Sequence, residues 1–317
     1  MKAPVFWQRD GILARALSPV GALYAMAGRM RARRARPYRA PVPVICVGNL
    51  TLGGSGKTPV TIDLLQRIAA RGRAVHAVTR GYGGTEKGPH RVDLRSDGPG
   101  RVGDEPLLLA AHAPTWVARD RAAGIRAAVA AGAEAIVTDD GFQNPGFAKT
   151  LSVIVIDAQA GFGNGFVFPA GPLREPVAQG LARADAVAMI GADGEAPAFD
   201  GPVLRGHLEP RESGMSLQGA RVLAFAGIGR PEKFFATLRS LGAEIIDSEA
   251  FPDHHRYTGS MVNRLMMRAE EQGLTLVTTE KDMVKMPPST RGRIWPVPVG
   301  VAWEDVVAVE ALLDRAI

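Results

Sequence analysis

Short apolar runs alternate with longer segments of helical periodicity along most of this 317-residue chain. The apolar runs are too short for helices and are bounded by Gly, Pro and Asp, which is typical of buried strands. Six of them lie in the first part of the chain, at residues 44–47, 74–79, 115–118, 134–140, 151–157 and 185–190. Helical patterns lie between them at residues 60–70, 107–111 and 119–131. This alternation predicts a parallel sheet with helices on both faces.

The alternation is interrupted at residues 191–202, a run of Gly, Ala, Asp and Pro that indicates a linker or a domain edge. It then resumes, with strands predicted at residues 222–226, 244–246 and 274–279 and helices at residues 232–241, 259–271 and 306–316. We therefore expect an α/β protein with its main parallel-sheet domain in residues 41–203. A second, smaller α/β domain is expected in residues 204–317.

Composition narrows the class of protein further. The chain is 46% hydrophobic, which is enough to bury a large core. Its single cysteine, Cys46, lies in the first predicted strand, where we expect a small buried hydrophobic side chain. A single cysteine excludes a disulfide framework and a cysteine-based zinc site, which fits a reducing compartment.

The net charge of +6 is unevenly spread, with a basic cluster near the amino terminus. Six arginines without an intervening acid follow one another there: Arg29, Arg31, Arg33, Arg34, Arg36 and Arg39. The apolar run before them, residues 16–28, is shorter than the roughly 20 residues that a spanning helix needs. We therefore expect residues 1–40 to form a membrane-interface helix and basic segment on an anionic membrane surface. The alternatives are a solvated basic helix packed on its own domain and a nucleic-acid patch. We favour the membrane surface and expect no nucleic acid as a partner.

The segment at residues 42–59, VPVICVGNLTLGGSGKTP, has the order of elements that a phosphate-binding loop (P-loop) requires. A strand, a glycine-rich turn and a helix follow one another, so that backbone N–H groups and the helix dipole can surround a polyphosphate. Lys57 is expected to reach the outer phosphates, and the Thr58 hydroxyl is expected to bind Mg²⁺. The other predicted nucleotide-binding residues are Thr51, Gly53, Gly54, Ser55 and Gly56.

One position departs from the usual P-loop spacing, because Thr51 stands six residues before the lysine where a glycine is common. The alternative interpretation is an ordinary glycine-rich turn. A second motif favours the P-loop, since the strand predicted at residues 134–140 ends in Asp139 and Asp140. P-loop proteins use an acid at such a strand end to hold Mg²⁺ through its water shell. The sequence leaves open which of the two acids contacts the metal.

Two loops lie where open α/β sheets bind ligands. Residues 80–84 follow a predicted strand, and residues 161–175 form a long apolar loop of a kind that is usually functional. The tetrapeptide at residues 103–106, GDEP, precedes a predicted helix, so Asp104 is either the N-cap of this helix or a functional carboxylate.

Seven motifs occur in order along nearly the whole chain: VGNLTLGGSGKTP (47–59), TRGYGG (79–84), GDEP (103–106), DDGFQ (139–143), FPAGPLRE (168–175), FPDHH (251–255) and TTEKD (278–282). In these motifs the chain resembles the tetraacyldisaccharide 4'-kinase family, the lipid A 4'-kinases of Gram-negative bacteria. Thr51 is consistent with that family, whose loop commonly has a small hydroxyl residue there. Asn144 departs from it, because the family usually has a histidine after DDGFQ.

The resemblance implies ATP-dependent phosphorylation of the 4'-hydroxyl of a tetraacyl lipid A disaccharide 1-phosphate, which gives lipid IVA. The implied cofactors are ATP and Mg²⁺, and the implied partners are the lipid A disaccharide 1-phosphate and the membrane surface. The implied location is the cytoplasmic face of the bacterial inner membrane, as a peripheral protein. The resemblance further implies two α/β/α domains joined by a hinge.

Residue roles also follow from the resemblance. Asp104 matches the catalytic carboxylate that activates the acceptor hydroxyl, although a carboxylate with an ordinary pKa of about 4 is a weak base. His254 is carried over as its catalytic partner, while the motif leaves His255 open. Lys57 completes the catalytic set. The predicted metal ligands are Thr58, Asp139 or Asp140 and, from the resemblance alone, Glu175.

A different class of protein remains as the alternative: a soluble P-loop NTPase that acts as a switch or a metallochaperone. GTPase switches usually carry a base-reading Asn-Lys-x-Asp motif, which residues 279–282 match only loosely. Such a switch also needs no interfacial helix. A binding module with an inactive phosphate loop is a third reading, and the full set of acids argues against it.

Overall fold

The structure is a computed structural model that describes residues 4–53, 55–192, 194–211, 214–229, 231–252 and 255–317. Two of the predicted site residues, Gly54 and His254, lie outside the described residues. The prediction for each of them therefore stays a prediction.

The described residues contain strands that fall into two sheets. In chain order these strands are β1 Val44–Gly48, β2 Val75–Thr79, β3 His90–Arg91, β4 Thr115–Val117, β5 Ala135–Asp139, β6 Leu151–Asp157, β7 Ala186–Ile190, β8 Val203–Pro210, β9 Arg221–Ala226, β10 Glu244–Ala250, β11 Thr275–Thr279, β12 Trp295–Val297 and β13 Val299–Trp303. The large sheet has the order β13-β8-β7-β6-β1-β5-β2-β4-β3, and the small sheet has the order β10-β9-β11-β12. Pairing is parallel throughout except for β13 and β3, which close the two edges of the large sheet in the antiparallel sense.

The helices of the described residues connect these strands. They are α1 Ile12–Arg34, α2 Lys57–Ala70, α3 Pro99–Val102, α4 Asp104–Ala110, α5 Arg121–Ala130, α6 Val177–Leu181, α7 Pro231–Ser240, α8 Gly259–Glu271, α9 Glu280–Met283 and α10 Val306–Asp314, with short 3-10 helices at Val5–Gln8 and Pro288–Arg293. The predicted alternation of strand and helix is therefore present, with boundaries that differ from the expected ones by a few residues.

Helices cover both faces of the large sheet. On one face α2, α4 and α10 pack against the sheet in a single apolar core that includes Leu65, Leu109 and Leu312. On the other face α5 and α6 contribute Ile125 and Leu181 to two further clusters. The central strands β1 and β5 are buried at every position, which is why their sequences are apolar runs without alternation. The predicted fold class, a P-loop parallel sheet with helices on both faces and a smaller α/β unit, is confirmed.

The small sheet has its own core on each face. Helix α8 packs on one face together with β9 and β11, and α7 packs on the other. The small sheet thus has the covered parallel architecture that was predicted for the second unit.

Two strands from the second half of the chain pair with the large sheet. Strands β8 and β13 were not predicted, and both lie at one edge of that sheet next to β7. Strand β13 contacts α2 through Trp303, whose Nε1 donates to Asp63 Oδ2 at 2.8 Å. Helix α10 follows β13, and its Asp314 pairs with Arg71, just after α2, at 2.9 Å. Sheet pairing thus brings part of residues 204–317 back to the P-loop unit, and the predicted domain division at residues 203 and 204 stays a prediction.

Candidate active site

The P-loop connects the buried strand β1 to helix α2 at the centre of the large sheet. Gly56 precedes the helix with a φ of 82°, a left-handed conformation that glycine adopts without strain. The Asn49 side-chain amide donates to the carbonyl oxygens of Thr51 at 2.8 Å and Gly53 at 3.4 Å, which holds the turn from inside. The buried Ser55 hydroxyl has no hydrogen-bond partner within the described residues. Buried polar atoms are normally paired, so this hydroxyl suits a ligand oxygen at the helix N-terminus.

Lys57 is the first residue of α2, and its side chain points toward the end of β5. Its ammonium lies 3.8 Å from the Asp140 carboxylate. Arg174 binds the same carboxylate with two nitrogens, at 2.9 and 3.2 Å, and donates to the Thr51 carbonyl oxygen at 3.3 Å. Asp140 has a φ of 53°, so a non-glycine residue holds a left-handed backbone at this point. The structure thus brings the P-loop lysine together with one of the two predicted acids.

Asp139 is the last residue of β5 and is only 1% exposed. Burial, together with the nearby negative charge of Glu105, raises the pKa of Asp139 to about 7, while Lys57 opposes that shift. The hydroxyl of Thr61, on the second turn of α2, donates to its carboxylate at 3.3 Å. This carboxylate is therefore buried beside the P-loop with little compensation for its charge.

Glu175 lies in the same region but is engaged by other side chains. Gln143 donates to one of its oxygens at 3.0 Å, and the Arg183 guanidinium contacts the other. Within the described residues no three His, Cys, Asp or Glu side chains converge as a metal site. A P-loop site does not need such a cage, because Mg²⁺ keeps several waters and takes few ligands from the protein. The hydroxyl and carboxylate oxygens of Thr58, Asp139 and Asp140 fit this hard cation, and the role of Glu175 stays a prediction.

Asp104 begins helix α4, and the N-cap position belongs to Gly103. The alternative that Asp104 is the helix N-cap is therefore wrong. Asp104 is largely buried, and its negative charge helps to raise the pKa of Tyr257 in the small unit. Its neighbour Glu105 acts in the same way on Asp139. The first turn of α4 thus lies between the P-loop and the small sheet.

The FPDHH motif follows β10 of the small sheet. The His255 ring stacks on Phe251 with centroids 4.7 Å apart and an interplanar angle of 22°. It also contacts the Tyr257 ring edge-on at 4.9 Å, and its Nε2 lies 3.1 Å from the Met261 sulfur. These contacts fix His255 within an aromatic cluster, and the choice between His254 and His255 stays open.

Sequence reasoning missed a buried cation close to the two acids of the site. Arg121, at the start of α5, is 4% exposed, and burial lowers its pKa to about 10. It donates to the Ala118 carbonyl oxygen at 3.0 Å and feels the charges of Asp139 and Asp140. Its place directly after strand β4 was the available signal, because the carboxyl ends of parallel strands share one edge of a sheet. Arg119, two residues earlier, is exposed.

The amino-terminal helix α1 packs on the long loop at residues 161–175. Trp7 donates to the Pro169 carbonyl oxygen at 3.1 Å, and Tyr24 meets the Phe168 ring edge-on at 5.7 Å. Many large apolar side chains of this region are exposed: Val5, Ile12, Leu13, Val20, Leu23, Tyr24, Met26, Met30 and Phe168. In the part of the chain that the structure describes, no helix is long and apolar enough to cross a membrane.

A P-loop on a covered parallel sheet, with a lysine and two acids at the carboxyl edge, is the arrangement of a P-loop protein that binds a nucleotide with Mg²⁺. A family model for tetraacyldisaccharide-1-P 4'-kinase matches residues 13–317. The chain therefore belongs to the tetraacyldisaccharide-1-P 4'-kinase family, as the motifs indicated, and it is a kinase. The alternative of a soluble switch or metallochaperone is not favoured.

Individual relatives agree over the full length. A tetraacyldisaccharide 4'-kinase from Rhodospirillum centenum is 53% identical, with 99% of this chain and 96% of the relative covered. One from Dinoroseobacter shibae is 52% identical, with 99% and 97% covered. The crystal structure of an "apo" form of LpxK from Aquifex aeolicus in complex with ATP has a TM-score of 0.79 at 26% identity, covering 96% of this chain and 99% of that one. The predicted use of ATP with Mg²⁺ is thereby supported.

Proposed function

We propose that this chain transfers the γ-phosphoryl group of MgATP to the 4'-hydroxyl of a tetraacyl lipid A disaccharide 1-phosphate. The product is lipid IVA. The observation that carries the proposal is the meeting of Lys57, Asp139 and Asp140 at the P-loop, beside a helix turn that carries Asp104.

The P-loop residues position and neutralise the phosphates. Backbone N–H groups at the start of α2 and the Ser55 hydroxyl face the phosphate oxygens, and Lys57 offsets their charge. In the structure Lys57 and Arg174 both neighbour Asp140. Either cation can exchange this carboxylate for phosphate oxygens when nucleotide binds, which keeps two positive charges at the transferred group.

Thr58, Asp139 and Asp140 are the residues that hold the metal in this proposal. The Mg²⁺ that they would hold would supply positive charge to neutralise the charge that develops during transfer. The Thr58 hydroxyl lies at the first turn of α2, and Asp139 offers a carboxylate with a raised pKa that a cation returns to its ionised form. Glu175 is the remaining member of the predicted set, and its carboxylate contacts Arg183 and Gln143.

Asp104 orients and deprotonates the acceptor hydroxyl in this proposal. Phosphoryl transfer places little demand on base strength, because most of the proton transfer comes late in the reaction. Asp104 therefore acts mainly by holding the hydroxyl in line with the transferred phosphoryl group. The FPDHH loop of the small unit supplies the histidine partner, predicted as His254.

We further propose that α1 and the basic segment after it bind the anionic cytoplasmic face of the inner membrane. Exposed apolar side chains on α1 and near it on the 161–175 loop suit shallow burial among lipid headgroups. The six arginines at positions 29–39 are exposed and each adds about 1 kcal/mol near an anionic surface. This arrangement brings a lipid acceptor to the site without a spanning helix.

Turnover assays test the chemistry. In detergent, we expect ATP consumption to depend on the lipid A disaccharide 1-phosphate and to fall by at least about 10³ in Lys57→Ala, because the oriented phosphate clamp is lost. Lys87→Ala, a change at an exposed lysine away from the P-loop, serves as the control. Turnover without lipid at the same rate would instead favour a switch.

Vesicle co-sedimentation tests the membrane contact. Changing Arg29, Arg31, Arg33 and Arg34 to Ser should release the chain from anionic vesicles, and high salt should weaken wild-type binding, since charge is screened over about 10 Å at 0.1 M salt. The control changes four exposed arginines elsewhere to Ser: Arg73, Arg221, Arg239 and Arg315. Binding that persists in the first variant and ignores salt would contradict this contact.

A further inference from the structure

The TTEKD motif contains a buried carboxylate to which the proposed chemistry gives no role. Asp282 is 0% exposed, and its Oδ2 accepts hydrogen bonds from the Gly227 N–H at 2.8 Å and the Thr279 hydroxyl at 2.7 Å. The ammonium of Lys285, itself buried, lies 2.6 Å from Oδ1. Loss of either partner of a buried ion pair is unfavourable, because it leaves the other charge uncompensated. We therefore expect these contacts to hold the Asp282 side chain in one position.

This ion pair joins the loops that follow β9 and β11, two neighbouring strands of the small sheet. Gly227 follows β9, and Lys285 donates to its carbonyl oxygen at 3.3 Å while Asp282 accepts from its N–H. A Cβ atom at position 227 would lie 2.7 Å from the Tyr257 hydroxyl and 3.3 Å from the His255 Cβ. Only glycine permits this close approach, and it brings the loop after β10 against the loops after β9 and β11.

Tyr257 connects the ion pair to the FPDHH loop. Its ring contacts Phe251 and His255 edge-on, with centroids 5.3 and 4.9 Å apart. On its other side the Lys285 ammonium lies 5.4 Å from the ring centroid. One tyrosine side chain therefore contacts both Phe251 and His255, which are described residues of the FPDHH loop on either side of positions 253–254. The same side chain contacts Lys285 of the buried ion pair.

The same tyrosine faces the P-loop unit. Helix α4, which begins at Asp104, packs on α9, which contains Asp282. Burial, followed by the charges of Asp282, Glu249 and Asp104, raises the pKa of Tyr257 well above its usual range, so the phenol stays neutral. Tyr257 and Lys285 also line a cavity of about 360 Å³ whose lining includes residues 95–100 of the large unit.

We propose that Asp282, Lys285 and Tyr257 form a positioning cluster that fixes Phe251 and His255, two described residues of the FPDHH loop, near Asp104. This inference rests on the proposed function, in which Asp104 is the catalytic carboxylate and that loop supplies its histidine partner. The three side chains are positioning residues, because each acts on the loop and none is assigned to the reacting atoms.

Kinetics of Tyr257→Phe provide the first test, since this change keeps the ring but removes the hydroxyl, through which Tyr257 interacts with the Asp282 carboxylate. We expect kcat to fall at least tenfold while the KM for MgATP stays within twofold, because the P-loop is untouched. Thr279→Val should lower kcat in the same way, and the conservative Thr279→Ser should restore it. Leu238→Ala, in the core on the α7 face of the small sheet, is the control and should lose thermal stability without losing kcat per folded molecule.

Amide hydrogen exchange provides a readout that does not depend on the lipid reaction. Peptides that cover residues 251–257 should exchange at least tenfold faster in Tyr257→Phe and Asp282→Asn than in Leu238→Ala. In the Asp104→Ala background, Tyr257→Phe should lower the residual kcat less than twofold, since both act at one step. If the wild type fails to phosphorylate the lipid, the proposed function fails, while the exchange result still judges the cluster.

Two results would overturn the positioning role. The first is a Tyr257→Phe enzyme with wild-type kcat and unchanged exchange in residues 251–257. The second is a loss of kcat in Leu238→Ala equal to that in Tyr257→Phe at the same loss of thermal stability, because a purely structural effect would then explain both.

Discussion

Two buried aspartates at the ends of parallel strands differ in what surrounds them. Asp139 ends β5 in the large sheet, and Asp282 lies just after β11 in the small sheet. Asp282 has hydrogen bonds from Gly227 and Thr279 and an ion pair with Lys285. Within the described residues, Asp139 accepts from the Thr61 hydroxyl at 3.3 Å and has a raised pKa.

The difference separates a carboxylate that can bind a cation from one that belongs to a structural ion pair. Burying a carboxylate is unfavourable unless donors or cations compensate its charge. At Asp282 the protein supplies those partners from the two segments that follow β9 and β11, so the carboxylate holds these segments together. At Asp139 the compensation is incomplete, which is what a site requires when the missing cation arrives with the nucleotide.

The largest effect should come from Asp139→Asn. We expect kcat to fall at least about 10³-fold, because the neutral amide cannot hold the metal charge. Stability should not fall, since the ionised carboxylate is unfavourable in the folded state. The raised pKa means that the folded chain binds a proton more tightly than the unfolded chain between about pH 4 and pH 7, so wild-type stability declines as pH rises through that window.

Urea unfolding of both proteins at pH 5 and pH 8, together with turnover, checks this. The variant should be more stable than the wild type at pH 8, by up to about 4 kcal/mol, because the pKa of Asp139 is raised by about three units. An Asp139→Asn chain that unfolds more easily at pH 8 would show that the Asp139 carboxylate stabilises the fold, as the Asp282 carboxylate does.

Lys285→Met should have the next largest effect, and on stability. It leaves the Asp282 carboxylate buried without its cation, which we expect to cost about 3 kcal/mol in the free energy of unfolding. The double variant Asp282→Leu with Lys285→Met should recover part of that loss, because no charge is then buried. A double variant as unstable as the sum of the two single changes would contradict a coupled pair.

The pH dependence of Mg²⁺ binding should be smaller, at about 1.4 kcal/mol per pH unit. With a non-hydrolysable ATP analogue present, Mg²⁺ affinity should fall up to about tenfold per unit as pH drops below the Asp139 pKa of about 7, because protons compete for the carboxylate. Between pH 8 and pH 9 it should stay flat. Calorimetric titration measures it, and Asp139→Asn, the control, should show only the shallower slope that comes from protonation of the nucleotide's terminal phosphate. An equal slope in that variant would place the titrating group elsewhere.

Thr61→Val should give the smallest effect. It removes the hydroxyl that donates to the Asp139 carboxylate, so the pKa of Asp139 should rise further. We expect a shift of the pH profile for Mg²⁺ binding by less than about one unit, the value of one modest hydrogen bond. Thr115→Val, whose buried hydroxyl donates to the Ala113 carbonyl oxygen, is a control in the large sheet and should leave the profile unchanged. A shift toward lower pH would contradict the stabilising role of Thr61.

Much of this molecule could be predicted from local patterns, and particular elements show where that stops. Strands β1, β5 and β6 were predicted because burial on both faces makes them uninterrupted apolar runs. Strand β8 carries polar residues at several positions, and β13 is an antiparallel edge strand, so neither gives that signal. Their place in the large sheet depends on pairing across a long separation in sequence.

The sequence by itself determined the class of fold and the chemistry of the P-loop. Spacing along one strand, turn and helix suffices to place Gly56, Lys57 and Thr58, because those contacts are local. The resemblance in seven motifs supplied the family and the 4'-kinase activity, which residue patterns do not encode.

Tertiary structure alone decided the environment of each charged group. The burial of Asp139, the placement of Arg121 beside the acids and the hydrogen bond from Gly227 to Asp282 all join residues that are distant in the chain. Burial and neighbouring charge set a pKa, and neither can be read along one segment of sequence. For the same reason, both aspartates lie in motifs that the sequence shows, but only the packed structure distinguishes them. The charge of Asp139 is incompletely compensated, whereas Asp282 is paired with Lys285.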